Sequence, residues 1–164
     1  MAIETIKWVN GCGRIIDQRK LPMEFKYIFC RDERMMWDAI KTLAVRGAPA
    51  IGVAAAFGVL LGLKKFKGSD KFKFYDFFGK LCDYIGSSRP TAVNLFNMLD
   101  RMKDVAEKNR DRSIPDIKEL LHKEAIAIYN EDRKVCRRMG DFGAQLVQSG
   151  KSYMTVCNAG ALAT

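Results

Sequence analysis

Histidine is nearly missing from this sequence: His122 is the only one in 164 residues. A zinc site takes several imidazole, thiolate or carboxylate ligands at short spacing. One histidine in a helical stretch cannot anchor such a site, so His122 is expected to be a structural surface residue. The five cysteines, Cys12, Cys30, Cys82, Cys136 and Cys157, are odd in number and form no CxxC pair. With no secretory signal at the start, they are expected to be reduced thiols in a cytoplasmic protein, and neither a metal nor a cofactor is expected. The longest apolar run, Ala48–Leu63, falls short of a membrane span and contains Pro49, Gly52, Gly58 and Gly62. A helix of that length that is apolar all round belongs inside a protein core, so no membrane partner is expected.

Acidic residues are also scarce. The 19 Asp and Glu are outnumbered by 28 Lys and Arg, for a net charge of +9. Such an excess suits nucleic acid, acidic surfaces or phosphorylated small molecules. The basic residues fall in two clusters, Lys64, Lys65, Lys67, Lys71 and Lys73, then Arg133, Lys134, Arg137 and Arg138. Phe66, Phe72 and Phe74 interleave with the first, as in single-strand binders. No RRM, KH or helix-turn-helix signature accompanies the charge. Lysine stems lying over buried rings is therefore the favoured reading, with no nucleic-acid partner expected.

The length accommodates one domain with a real core and a fragment of a second. The pattern predicts an α/β protein. Strands Ile3–Val9 and Arg14–Gln18 flank an Asn10-Gly11-Cys12-Gly13 turn, and Phe25–Cys30 makes a third strand. Asp32 caps a helix from Glu33 to about Val45 with Met36, Ile40 and Leu43 on one face. Further helices are predicted from Pro49 to about Lys65, from Lys71 to about Ile85, and from Pro90 through the stripe Leu95, Leu99, Met102 and Ala106. A last one runs from a Ser113/Asp116 capping arrangement to about Gln148, with a bend near Gly140–Gly143. Lys151–Val156 is then read as a strand, followed by a small-residue turn and a helix start, the front edge of a Rossmann-like α/β unit. The expected division is residues 1–150, a β hairpin or meander with a helical domain, and 151–164, the start of a second domain.

Three constellations carry chemistry. Arg46-Gly47-Ala48-Pro49 and Ser88-Arg89-Pro90-Thr91 share a layout of Arg, small residues, Pro, then helix. A helix N-terminus offers free N–H groups and partial positive charge to an anion, and Arg adds a bidentate donor matched to phosphate. Converging, the two would clamp a phosphate; separately, each also fits an ordinary turn. In the third, Cys157 precedes a helix start, where the dipole favours the thiolate. The same position suits a small buried thiol packed under the helix.

The runs Ala44-Val45-Arg46-Gly47-Ala48-Pro49-Ala50-Ile51-Gly52, Ser88-Arg89-Pro90-Thr91-Ala92-Val93-Asn94-Leu95 and Cys157-Asn158-Ala159-Gly160-Ala161-Leu162-Ala163-Thr164 resemble, in order, the signatures of the methylthioribose-1-phosphate isomerases. Weaker likeness fills Asp17–Pro22 and Glu131–Arg138. The resemblance implies conversion of 5-methylthioribose 1-phosphate to 5-methylthioribulose 1-phosphate in methionine salvage. It implies that Arg46, Gly47 and Ala48 hold substrate with Arg89 on the phosphate side, and that Cys157 is one of two catalytic groups. The other is an aspartate of a C-terminal domain through which the family forms homodimers. Val156 stands where the family often has His. Residues beyond Thr164 are expected to supply the rest of the site. Two related readings are ribose 1,5-bisphosphate isomerase and the regulatory subunits of the translation-initiation guanine-exchange factor. The complete Arg46–Gly52 and Cys157–Thr164 motifs favour the methylthioribose enzymes over both.

Overall fold

The computed structural model describes residues 3–156 and 160–162. It is a mixed α/β arrangement in the order β1 (Ile6–Val9), β2 (Cys12–Ile16), β3 (Tyr27–Cys30), α1 (Glu33–Lys41), α2 (Ala48–Leu63), α3 (Lys71–Gly86), α4 (Val93–Lys108) and α5 (Ile114–Ala144). The strands form one antiparallel sheet, β1-β2-β3. Asn10 and Gly11, with φ of 48° and 75°, make a two-residue turn of the primed kind that suits the twist of a hairpin. Val9 therefore faces Cys12, so Cys12 and Gly13 belong to β2 rather than to the turn. Beyond Ile16 the chain of β2 is gripped from three sides. The Ile16 N–H donates to Thr5 O at 2.9 Å, Asp17 to Lys26 O at 2.8 Å and Gln18 to Ala44 O at 3.0 Å.

α1 starts where the sequence predicts, with the Met35 N–H donating to Asp32 Oδ1 at 2.9 Å. It stops four residues early. Leu43 adopts φ 63°, and the Val45 N–H folds back onto Ala39 O at 3.1 Å. That reversal buries Ala44 and Val45 while leaving Leu43 exposed, so Leu43 does not join Met36 and Ile40 in the core.

Every residue of α2 from Ala50 to Leu63 is buried. α1, α3, α4, α5 and the hairpin all pack against it. α3 runs antiparallel to α2, with Gly58 against Ile85 and Gly62 against Leu81. α4 runs antiparallel to α3, because Gly86 lies against Phe96 and Leu99 while the Tyr75 hydroxyl donates to Ala106 O at 2.8 Å. α2 and α4 are consequently parallel, and their N-termini lie at the same end of the bundle. Leu95, Leu99, Met102 and Ala106 are all buried, as their spacing predicts. Ser113 caps α5, its Oγ accepting from the Asp116 N–H at 3.3 Å while its hydroxyl donates to Asp116 Oδ2 at 2.6 Å. α5 continues unbroken through Gly140 to Ala144, but its buried residues end at Tyr129.

Two further sequence expectations need correction. Pro90 lies in a turn ahead of α4, whose cap is Ala92, because the Ala92 N–H closes that turn onto Arg89 O at 3.0 Å. Lys151–Val156 has no strand structure and is exposed. β-branched residues favour a strand only where a neighbouring strand takes up their backbone groups, and none of the described residues supplies one. Three lysines of the first basic cluster have structural partners. Lys64 donates to Gly11 O and lies over the Trp8 ring, Lys65 pairs with Glu33, and Lys71 donates to Asp111 O at 2.8 Å. Phe66 and Phe74 pack edge to face in the core, and Phe72 alone faces solvent. His122 is exposed, its ring edge to face with Trp8.

The α2–α4 contact makes a prediction of sign. A Cβ at Gly52 would lie 3.0 Å from Asn94 O, a backbone atom, whereas one at Gly79 in α3 would meet nothing within 4 Å. Gly52→Ala is expected to destabilise the protein by about 1–3 kcal/mol. Gly79→Ala is expected to stabilise it by about 0.5–1 kcal/mol. Urea unfolding of both variants measures the difference.

Candidate functional site

Three of the five helices carry a side-chain cap at their start: Asp32 on α1, Asp70 on α3 and Ser113 on α5. α2 and α4 carry none. These are the two parallel helices preceded by the arginine motifs, so two uncapped N-termini share one end of the molecule. Gly47, the residue before α2, has φ 90° and ψ 134°, a conformation that strains any residue with a Cβ. Ala48 and Pro49 form the first turn after it.

The two arginine turns are held by neighbours other than the arginines themselves. The loop before Arg46 is fixed to β2 through Ala44 O, and Arg19 donates to Thr42 Oγ1 at 2.7 Å. The turn carrying Arg89 is fixed by the Trp37 indole N–H, which donates to Ser87 Oγ at 2.9 Å, and by the buried Ser88 hydroxyl, which donates to Ile85 O at 2.6 Å. Arg19 and Arg101 are each locked to carboxylates, whereas Arg46 and Arg89 have no such partner among the described residues. Arg46 is exposed and Arg89 half-buried. Guanidinium groups on braced turns, left without a carboxylate, are free to meet an anion.

The catalytic candidate Cys157 lies outside the described residues. The segment after it is described, and it reaches the same part of the molecule. The Thr5 hydroxyl donates to Ala161 O, and Gln18 Nε2 donates to Leu162 O at 2.7 Å. Of the other cysteines, Cys30 and Cys82 are poor candidates for reaction, since burial pushes both thiols up to about 12.

Two hollows flank α5 here. One of about 230 Å³ lies between the starts of α2 and α4, lined by Pro49, Gly52, Asn94 and Met98, with Glu131 and Asp132 across from them. The other, about 960 Å³ and open, is lined by Glu4, Thr5, Tyr129, Asp132, Arg133 and Ala161. Neither hollow is lined by Arg46 or Arg89. Asp132 borders both, and sequence reasoning assigned it no role. The only signal was its place in the weaker run of likeness from Glu131. Burial raises its acid above the usual carboxylate range. The neighbouring Glu131 behaves oppositely, its carboxyl held low by Arg101, which donates to it at 2.8 Å.

A raised acid favours the protonated folded state, so ionised Asp132 costs stability once the pH rises above its folded value, and that cost vanishes below about pH 4. Asp132→Asn is therefore expected to raise the melting temperature by about 2–4 °C at pH 7 and to leave it nearly unchanged at about pH 3.5. Calorimetry at the two values checks the sign.

The comparisons with known proteins agree with this architecture. The chain is 46% identical over all 164 residues to the methylthioribose-1-phosphate isomerase of Geobacter sp. (strain M21), covering 47% of that protein. It is 45% identical over 159 residues, 97% of the chain and 46% of the relative, to the 5-deoxyribose 1-phosphate isomerase of Bacillus cereus (strain ATCC 14579). The chain thus spans about half the length of the curated relatives it matches. Among solved structures, 5-methylthioribose 1-phosphate isomerase from Pyrococcus horikoshii OT3 superposes with TM-score 0.90 at 39% identity, over 98% of this chain and 45% of that one. The delta subunit of translation initiation factor eIF-2B from A. fulgidus superposes with TM-score 0.87 at 40% identity, over 99% and 47%. The family model of the initiation factor 2 subunit family matches residues 44–164, from the loop before Arg46 through the cysteine motif. With most of its length inside that match, the chain belongs to the initiation factor 2 subunit family.

Proposed function

We propose that the polypeptide carrying this chain is an aldose–ketose isomerase that converts 5-methylthioribose 1-phosphate to 5-methylthioribulose 1-phosphate in methionine salvage. The observation that carries this reading is the end of the bundle. There, two parallel helices start without side-chain caps, each behind an arginine with no carboxylate partner among the described residues, and the segment of the cysteine motif is tied to the same region. The names of the Geobacter, Bacillus and Pyrococcus relatives share one substrate class, a pentose 1-phosphate lacking its 5-hydroxyl.

The residues take distinct roles. Arg46, Gly47 and Ala48 hold the substrate through the guanidinium and the N–H groups that open α2, and Arg89 takes the phosphate. The anomeric oxygen carries the phosphoryl group, so the ring cannot open as a free hemiacetal does. The ring oxygen must gain a proton as its bond to C1 breaks, and hydrogen must move from C2 to C1, through an acid–base pair or as a shielded hydride. The C2 hydroxyl must give up its proton to become the ketone, which balances the proton taken by the ring oxygen. Cys157 is one catalytic group. The second is an aspartate from a further α/β domain that residues 151–164 begin. A homodimer made through that domain, in the cytoplasm, completes the reading.

The A. fulgidus likeness supports one other reading, a non-catalytic subunit acting by protein binding. An assay of the chain fused to the second half of the Geobacter relative separates the two. The fusion is expected to form the ketose, and Cys157→Ser to lower kcat by about 10²–10⁴-fold. Arg46→Ala and Arg89→Ala are expected to raise KM by roughly tenfold or more, the loss of a charge-assisted hydrogen bond. The 164 residues alone are expected to give no turnover. A folded fusion that neither binds nor converts the sugar phosphate would favour the binding subunit.

A further inference from the structure

Gln18 is a buried amide, 5% exposed, just past the end of β2. Polar side chains are taken out of water only where partners replace it. Its partners belong to two distant parts of the chain. Its own N–H donates to Ala44 O at 3.0 Å, two residues before Arg46. Its side-chain Nε2 donates to Leu162 O at 2.7 Å, five residues after Cys157. The preceding carbonyl of the same tail, Ala161 O, accepts from Thr5, which is also buried and whose own carbonyl takes the Ile16 N–H of β2.

The joint is rigid on its other side as well. Asp17 is 3% exposed and takes two hydrogen bonds from Arg19, at 2.7 and 2.8 Å, and Arg19 reaches on to Thr42. The bond from Arg19 holds the Asp17 carboxyl below its usual range, so the pair is charged at neutral pH. Three successive residues of β2's extension thereby fix the loop that leads to Arg46, and the middle one also grips the tail.

We propose that Gln18 is a positioning residue of the isomerase site. One side chain and its own backbone N–H tie Leu162, in the segment that follows Cys157, and Ala44, in the loop ahead of Arg46, to the same residue of the N-terminal sheet. This inference rests on the isomerase reading for its consequence in turnover, but the joint can be tested without it. Gln18→Glu keeps the shape and the backbone N–H while placing an acceptor opposite Leu162 O. Gln18→Met removes the polar group at similar volume. Thr42→Ala loosens the Arg19 side without touching the tail.

Timed alkylation of the 164-residue chain with iodoacetamide, read peptide by peptide in a mass spectrometer, is the first arm. Both Gln18 variants are expected to speed labelling of Cys157 by about threefold or more, with Thr42→Ala unchanged. Cys30 and Cys82, both buried, serve as monitors of the fold and should stay unlabelled throughout. Unchanged Cys157 labelling in both Gln18 variants, with those two thiols protected, overturns the proposal. In the fusion with the Geobacter half, Gln18→Glu is expected to lower kcat by roughly 10–100-fold with KM within about threefold, the signature of misplacement rather than lost binding. A folded Gln18→Glu fusion with unchanged kcat also overturns it. A wild-type fusion without turnover, alongside faster labelling in the Gln18 variants, removes the isomerase reading and upholds the joint.

Discussion

The molecule is organised around the burial of α2. A helix with one apolar stripe needs one neighbour, but α2 buries every residue from Ala50 to Leu63 and so needs a wall on every side. Seven of those side chains are Val, Ile, Leu or Phe, and burying them is worth roughly 10–20 kcal/mol gross. That is comparable to the whole net stability of an ordinary domain, about 5–15 kcal/mol. α1, α3, α4, α5 and the hairpin are placed by that demand. α5 shows the reverse case, since its buried residues end at Tyr129, and Val135, Met139 and Phe142 beyond it are exposed.

The same constraint builds the candidate site. Small residues on α2 admit α3 and α4 closely, and two antiparallel steps bring the start of α4 back beside the start of α2. The two arginine motifs lie more than forty positions apart in sequence, yet they share one end of the bundle because two helices of equal length, α2 and α3, connect them. The absence of caps on those two helices then has a physical meaning, for their first N–H groups remain available at an end where no carboxylate among the described residues pairs with Arg46 or Arg89. β2 adds the third component by carrying the polar joint at Asp17, Gln18 and Arg19 past the edge of the core.

Much of this was legible locally. The Asn10-Gly11 hairpin, the Asp32 and Ser113 caps, the Leu95–Ala106 stripe and the buried α2 follow from residue type and spacing, because each depends on interactions within a few positions. Misreadings arose where distant contacts decide. Leu43 fits a helical stripe, but the return of Val45 to Ala39 ends the helix first. Pro90 fits a helix start, but the Arg89 turn intervenes. Thr155 and Val156 fit a strand, but strand structure requires a partner that the described residues do not provide. Asp132 was passed over because the residues that share a hollow with it, on α2 and α4, are far from it in sequence.

The amino-acid sequence by itself determined the element types, the apolar surface that must be hidden, and the chemical groups available: two arginines ahead of helices and a cysteine motif near position 157. These are properties of composition and short-range spacing, set by backbone propensity and side-chain chemistry. Only the tertiary structure decided which of those groups share a neighbourhood. The parallel alignment of α2 with α4, the lack of a carboxylate partner for Arg46 and Arg89 among the described residues, and the double grip of Gln18 on Ala44 and Leu162 all depend on how helices pack around a core. Packing is a sum over residues far apart in the chain, and no local pattern encodes it.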